Sequence, residues 1–152
     1  MRDAKEGYRF IITSALLFLI SLLLGWKWIG LLLILSTFAF IGFFRDPERF
    51  PPGGEGTILS PADGKVVGIK DVEKGELFRE GGTRVSIFLS PLDVHVNRSP
   101  VKGRVEEVKY QRGRFFAAYK DEASQNNERN VLRIVDPKGR RLSVVQIAGV
   151  IA

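Results

Sequence analysis

Residues 10–44 form an apolar run of 35 positions in which 26 side chains are hydrophobic and Lys27 is the only charge. Nothing else in the 152 residues constrains the fold as strongly, because a chain this size has no globular core able to bury such a run. As one unbroken helix it would be about 52 Å long, well beyond the roughly 30 Å of a bilayer's hydrocarbon core. It must break. The sequence Gly25-Trp26-Lys27-Trp28-Ile29-Gly30 marks where, since two glycines flank a cation set between two indoles, the chemistry of a chain turning at lipid headgroups. This predicts two helices, at about 8–24 and 28–44. Each is at the lower length limit for a span, so a transmembrane hairpin and a shallow re-entrant hairpin both remain open. Either one returns the chain to its starting side. That side carries Arg2, Lys5, Arg9, Arg45 and Arg49 against Lys27 at the tip, and the positive-inside bias places it in the cytoplasm of a cell-membrane protein. A cleaved signal peptide fits less well, because the window is too long and no small-residue cleavage site follows it.

Beyond this membrane-anchoring hairpin (1–44), residues 45–56 read Arg-Asp-Pro-Glu-Arg-Phe-Pro-Pro-Gly-Gly-Glu-Gly, a linker without apolar period. Residues 57–152 then show short β-rich runs at 64–70, 83–90, 94–98, 104–111, 131–136 and 141–147, with Asp136-Pro137-Lys138-Gly139 as a hairpin turn. Only 115–122 hints at a helix. The expected class is mainly β: a small antiparallel sandwich or barrel behind a helical hairpin. An internal echo sharpens it. Ser60-Pro61-Ala62-Asp63-Gly64-Lys65-Val66 and Ser99-Pro100-Val101-Lys102-Gly103-Arg104-Val105 share Ser-Pro-x-x-Gly-basic-Val, 39 residues apart. Two related turns entering strands fit a pseudo-symmetric barrel-sandwich. No Lys lies in the setting that carrier domains of that architecture use for a lipoyl or biotinyl group. The final run, residues 144–152, is apolar without a turn or polar tail, which predicts a strand edge paired with further polypeptide and leaves the catalytic domain incomplete at that end. A homodimer is compatible with that edge and the hairpin anchor.

Composition removes several chemistries. There is no Cys and one His, so thiolate zinc sites, Cys nucleophiles and His-rich metal sites are excluded, and no metal is expected. The chain has no Gly-x-Ser-x-Gly, P-loop, Gly-x-Gly-x-x-Gly or HExxH. Six bases (Arg98, Lys102, Arg104, Lys109, Arg112, Arg114) fall within 17 residues, diluted by Glu106 and Glu107. A membrane-tethered domain meets acidic headgroups before nucleic acid, so the expected anionic partner is phospholipid, the alternative being a solvated basic strand face. General acid–base work around His95 is the conventional chemistry left. On a strand, Val94 and Val96 would share one face and His95 the other, with Asp93 as an orienting partner or a turn neighbour. Pattern alone reads Asp63 as a β-turn residue capping its own backbone, Asn127-Glu128-Arg129 as an exposed loop, and Phe115-Phe116-Ala117-Ala118-Tyr119 as core or lipid-facing anchor.

Phe43-Phe44-Arg45-Asp46-Pro47, Ser60-Pro61-Ala62-Asp63-Gly64, Ser90-Pro91-Leu92-Asp93-Val94-His95-Val96-Asn97-Arg98 and Asn127-Glu128-Arg129, in this order after a membrane segment, resemble the phosphatidylserine decarboxylase family in its short prokaryotic form, archaetidylserine decarboxylases included. The resemblance implies a proenzyme that cuts itself at a Gly-Ser bond, leaving a β chain like this one and a short α chain whose first residue has become a pyruvoyl group. It implies decarboxylation of phosphatidylserine or archaetidylserine through a Schiff base with that group, giving the ethanolamine lipid and CO2. Asp63 and His95 take the catalytic positions of the family's motifs: in self-cleavage His as base with Asp as its orienting anion, and in decarboxylation His95 as proton donor. Arg112 and Arg114 are expected to hold the anionic headgroup, with Asp93, Asn127 and Glu128 in support. Two departures stand out. No Gly-Ser dipeptide occurs in these 152 residues, so the cofactor Ser is expected in a segment outside them. Longer bacterial members carry a second His where this chain has Arg98, so His95 serves both steps or shares them with another group. The rival reading is a membrane-anchored adaptor or lipid-binding module with the scaffold and no chemistry.

Overall fold

A computed structural model describes residues 2–3, 5–52, 54, 56–75, 81–117 and 123–150. The chain divides into two compact units, Met1–Pro51 with Ser90–Val96, and Pro52–Leu89 with Asn97–Ala152.

In the first unit the apolar run is two antiparallel helices, α1 (Tyr8–Leu23) and α2 (Lys27–Phe43), close to the expected bounds. The break is built as the sequence requires. Gly25 adopts φ +72°, and its N–H reaches Leu22 O at 3.1 Å while the Trp26 N–H reaches Ser21 O at 2.9 Å. This pair of bonds closes the last turn of α1 around a left-handed residue that only glycine adopts without strain. The seam between the helices is polar and small rather than leucine-rich. Thr37 Oγ1 lies 2.9 Å from Ser14 Oγ, the Ser21 hydroxyl donates to Phe18 O at 2.7 Å, and Gly30 has no room for a Cβ beyond 3.0 Å from Ser21 Oγ. Leucine gains nothing by leaving lipid for another leucine, so close approach and hydroxyl contacts hold such a seam together. Leu16, Leu19, Leu23, Leu32 and Phe38 face outward, with Leu23 88% exposed. The stretch Lys5–Leu23 is long and apolar enough to cross a membrane, whereas Lys27–Phe43 is shorter. At the open end, β1 (Arg2–Asp3) pairs antiparallel with β2 (Arg45–Asp46), which keeps both ends of the hairpin together.

The second unit is mostly antiparallel β. Strand β3 (Lys65–Val72) pairs with β4 (Gly82–Phe88), and β5 (Arg104–Gln111), β6 (Arg129–Val135) and β7 (Arg141–Ile147) form a three-stranded sheet in that order. The β6–β7 turn is the expected one: Gly139 at φ +79° donates to Asp136 O at 3.0 Å, and the Asp136 carboxylate accepts from the N–H groups of Lys138 and Arg140 and from Arg140 Nε. Val131, Ile134, Val101 and Ala123 form the buried apolar centre. Among the described residues the sheets stay open and no barrel-sandwich closes; Val66, Val67, Ile69, Val85, Val105 and Val108 remain about half exposed or more.

Two expected elements differ. Residues 94–98 are not a strand: Val94 makes a lone bridge, and the Arg98 N–H is drawn to Pro61 O at 2.9 Å instead of a ladder. Alternation therefore does not decide where His95 points. Residues 115–117 are irregular rather than helical, residues 118–122 of that expected helix lie outside the described residues, and α3 (Ala123–Asn126) is a single turn.

The internal echo is structural. Ser60 Oγ donates to Ala62 O and Ser99 Oγ to Val101 O, both at 2.7 Å. Leu59 N–H donates to Pro100 O at 2.8 Å while Arg98 N–H donates to Pro61 O at 2.9 Å, an exchange between equivalent positions of the two copies. A Cβ on Gly64 would collide with Phe88 O, and one on Gly103 with Val135 O. Both hairpins then slip register at the same place, between Val66 and Gly68 and between Val105 and Glu107. Each glycine lets the turn press against the partner strand, and the bulge after it resets the pleat.

Candidate functional site

The sequence-predicted residues fall into three groups. The first surrounds His95. The C-terminal turn of α2 ends at Phe43, where Phe44 N–H reaches Phe40 O at 2.9 Å. The Arg45 guanidinium forks back, donating from Nη1 to Gly42 O and from Nη2 to Leu92 O, each at 2.6 Å. One planar group thereby ties the helix end to the loop at 90–96, geometry that a guanidinium's fixed fork suits. The loop itself is a tight turn: Asp93 N–H donates to Ser90 O at 2.9 Å, and Ser90 N–H donates to Asp93 Oδ2 at 2.7 Å. Asp93 thus stabilises the turn with its carboxylate, while its main-chain oxygen, 3.0 Å from His95 Nδ1, orients the imidazole. Of the two roles weighed for Asp93, the carboxylate takes the turn and the backbone takes the ring.

That contact settles the tautomer. A carbonyl oxygen only accepts, so Nδ1 carries the hydrogen and the neutral ring keeps its lone pair on Nε2. The ring also stacks on Phe43, with centroids 4.4 Å apart and 26° between planes. Val94, beside it, is 3% exposed and pins the loop. The Asp93 carboxyl is held below its ordinary value, chiefly by the Ser90 N–H, then by the Ser90 hydroxyl, with the charges of His95 and Arg45 adding to these. Its contribution to the turn is present above the usual carboxylate range and is lost as pH falls through the depressed value.

The second group is Asp63. It follows the Ser60 turn and precedes Gly64 and β3, half-buried and in the other unit. The third group gathers residues that the sequence kept apart. Asn127 is 1% exposed, not part of an exposed loop. Its Oδ1 accepts from Phe116 N–H at 2.9 Å, and its Nδ2 donates to Phe116 O and Ala148 O, both at 2.7 Å. Three satisfied bonds, each worth about 1 kcal/mol net, make Asn127 a clip between the 115–117 segment and the exit of β7. Arg114 and Asn127 form a parallel bridge, with Glu128 N–H on Arg114 O at 2.9 Å, and Gly113 has no room for a Cβ against Glu128 N. The Glu128 carboxylate accepts the Tyr110 hydroxyl, which raises the pKa of that phenol. Arg112 and Arg114 project from this clip exposed, Arg114 lying 5.7 Å over the Phe116 ring. Phe115 beside them is 57% exposed.

Sequence reasoning quoted Phe43, Arg45 and Asn97 only as motif letters. Arg45 read as an ordinary base at the end of a membrane helix, and nothing in an apolar run singles out one phenylalanine. Asn97, two residues after His95, has a buried Oδ1 that meets no hydrogen-bond donor among the described residues.

Comparison with known proteins gives a consistent picture. A family model described as phosphatidylserine decarboxylase matches residues 37–152. The phosphatidylserine decarboxylase proenzyme of Syntrophus aciditrophicus (strain SB) is 42% identical over 150 residues, 98% of this chain and 70% of that protein. That of Granulibacter bethesdensis is 47% identical over 146 residues, 94% of this chain and 59% of that protein. That of Ruegeria pomeroyi is 46% identical over 154 residues, 97% of this chain and 68% of that protein.

Proposed function

Because this chain belongs to the phosphatidylserine decarboxylase family, we propose that it is the larger, membrane-anchored part of an enzyme that converts phosphatidylserine or archaetidylserine to the ethanolamine lipid and CO2. The observation that carries the reading is the family match over residues 37–152 with Asp63 and His95 both in place in their motifs. The catalytic domain lies on the cytoplasmic side, by the distribution of bases about the hairpin. The cofactor is a pyruvoyl group formed from a Ser outside these residues, since no Gly-Ser occurs within them. A short α chain bearing it would also cover the half-exposed stripes of Val66, Ile69, Val85, Val105 and Val108 and complete a barrel-sandwich.

The residues present fit such a group. A ketone needs no chelating side chains, only a proton carrier of fixed orientation, and His95 has Nδ1 anchored on Asp93 O with Nε2 as its working nitrogen. When bound, the pyruvoyl group supplies the electron sink for loss of CO2 from the serine headgroup. For this step His95 enters as the imidazolium, Nε2 having taken a proton from solvent, and returns that proton to the α-carbon while Nδ1 stays on Asp93 O. In the earlier self-cleavage, the same nitrogen takes the proton of the attacking Ser hydroxyl, and Asp63 supplies the negative charge that stabilises the imidazolium. Asp93 O holds the ring throughout, so Asp63 is assigned the charge rather than the alignment.

Arg112 and Arg114 meet the lipid phosphate and carboxylate. In the complete enzyme on phosphatidylserine vesicles, Arg112→Glu with Arg114→Glu is expected to raise KM about tenfold or more at low salt while kcat holds. Added salt should narrow the gap. Unchanged KM at every ionic strength would remove these two arginines from the substrate site.

A further inference from the structure

The imidazole proposed for catalysis is held by the end of a membrane helix. Phe43, the last residue of α2, stacks on the His95 ring at 4.4 Å, and Arg45 bonds Gly42 O of that helix and Leu92 O of the His95 loop at 2.6 Å each. Loop 90–96 groups with the hairpin and not with the strands that precede and follow it. We propose that Phe43 and Arg45 are positioning residues for His95, so that the membrane hairpin is a working part of the catalytic site as well as an anchor. This rests on the decarboxylase reading above.

The physical case is geometric. Asp93 O fixes one ring nitrogen, yet one hydrogen bond leaves the imidazole free to swing about it. A flat aromatic face at stacking distance removes that freedom and keeps Nε2 on one line. The two-pronged Arg45 then fixes the loop that carries the ring against the helix that carries Phe43. Proton transfer depends steeply on such alignment, and a displacement near 1 Å costs on the order of a hundredfold in rate.

The test uses the complete, self-cleaved enzyme in phosphatidylserine vesicles, with 13C-histidine labelling. The His95 signal is identified by its loss in His95→Ala. Phe43→Leu is expected to lower kcat about tenfold or more with KM within about twofold of wild type, while Phe43→Tyr restores most of the rate. The His95 ring protons, shielded by the Phe43 face, should move downfield in Phe43→Leu and return in Phe43→Tyr. If Phe43→Leu does not accumulate, Arg45→Lys gives the same reading, since a single ammonium cannot bond both carbonyls: kcat falls and KM holds. Wild-type kcat in Phe43→Leu or Arg45→Lys, or a loss that Phe43→Tyr fails to rescue with the imidazole signal unmoved, overturns the positioning role. Wild-type enzyme that releases no CO2 overturns the decarboxylase reading instead, a separate outcome.

Discussion

His95→Ala in the complete enzyme is expected to lower CO2 release from phosphatidylserine by roughly 10²- to 10⁴-fold, the range a positioned proton carrier supplies. Binding to vesicles should be unaffected, because the substitution leaves the apolar hairpin and the exposed Arg112 and Arg114 in place. No other imidazole exists in these 152 residues to take over the role. His95 is proposed to act twice, so chain separation and CO2 release must be followed separately: a block at the first abolishes the second. Decarboxylation within a few-fold of wild type would contradict the role given to His95.

Asp63→Ala is expected to stop maturation. In the proposed self-cleavage an imidazolium forms, and without the charge assigned to Asp63 the proenzyme should accumulate uncleaved for hours under conditions in which the wild type separates into two chains. The Ser60 turn is closed by a bond from Ser60 Oγ to Ala62 O. Its counterpart in the second copy has Lys102 in place of Asp63 and makes the same 2.7 Å bond from Ser99 to Val101 O. The closing bond of the turn is thus made with or without a carboxylate at this position. Normal chain separation in Asp63→Ala, followed by gel electrophoresis over time, would reduce Asp63 to a turn residue.

The parts of the molecule that were legible in the sequence are those set by period and punctuation. The hairpin followed from 26 apolar side chains around one Gly-Trp-Lys-Trp-Ile-Gly break, and Gly25 closes α1 as that break demands. The strands at 104–111 and 141–147 followed from β-rich runs between turn residues and match β5 and β7 residue for residue. The Ser-Pro-x-x-Gly echo was legible because a glycine pressed on a partner strand leaves no alternative residue. Where tertiary contacts decide, the sequence was silent or misleading. Residues 94–98 alternate like a strand, yet the Arg98 N–H goes to a turn 37 positions earlier, at Pro61 O. Asn127 reads as loop because asparagine is polar, and only the fold reveals three backbone groups waiting for one amide. Phe43 is one of many phenylalanines in an apolar run, and no pattern announces that its face meets the sole imidazole.

The covalent carbonyl cofactor proposed for this family member can be weighed directly. The intact mass of every chain in the purified product of the complete gene should be recorded with and without phenylhydrazine. The account predicts two chains, the shorter lighter by one ammonia than its Ser-initiated sequence and heavier again after the reagent. A single uncleaved chain, indifferent to phenylhydrazine, would contradict it and leave a membrane-tethered β-domain without decarboxylase chemistry.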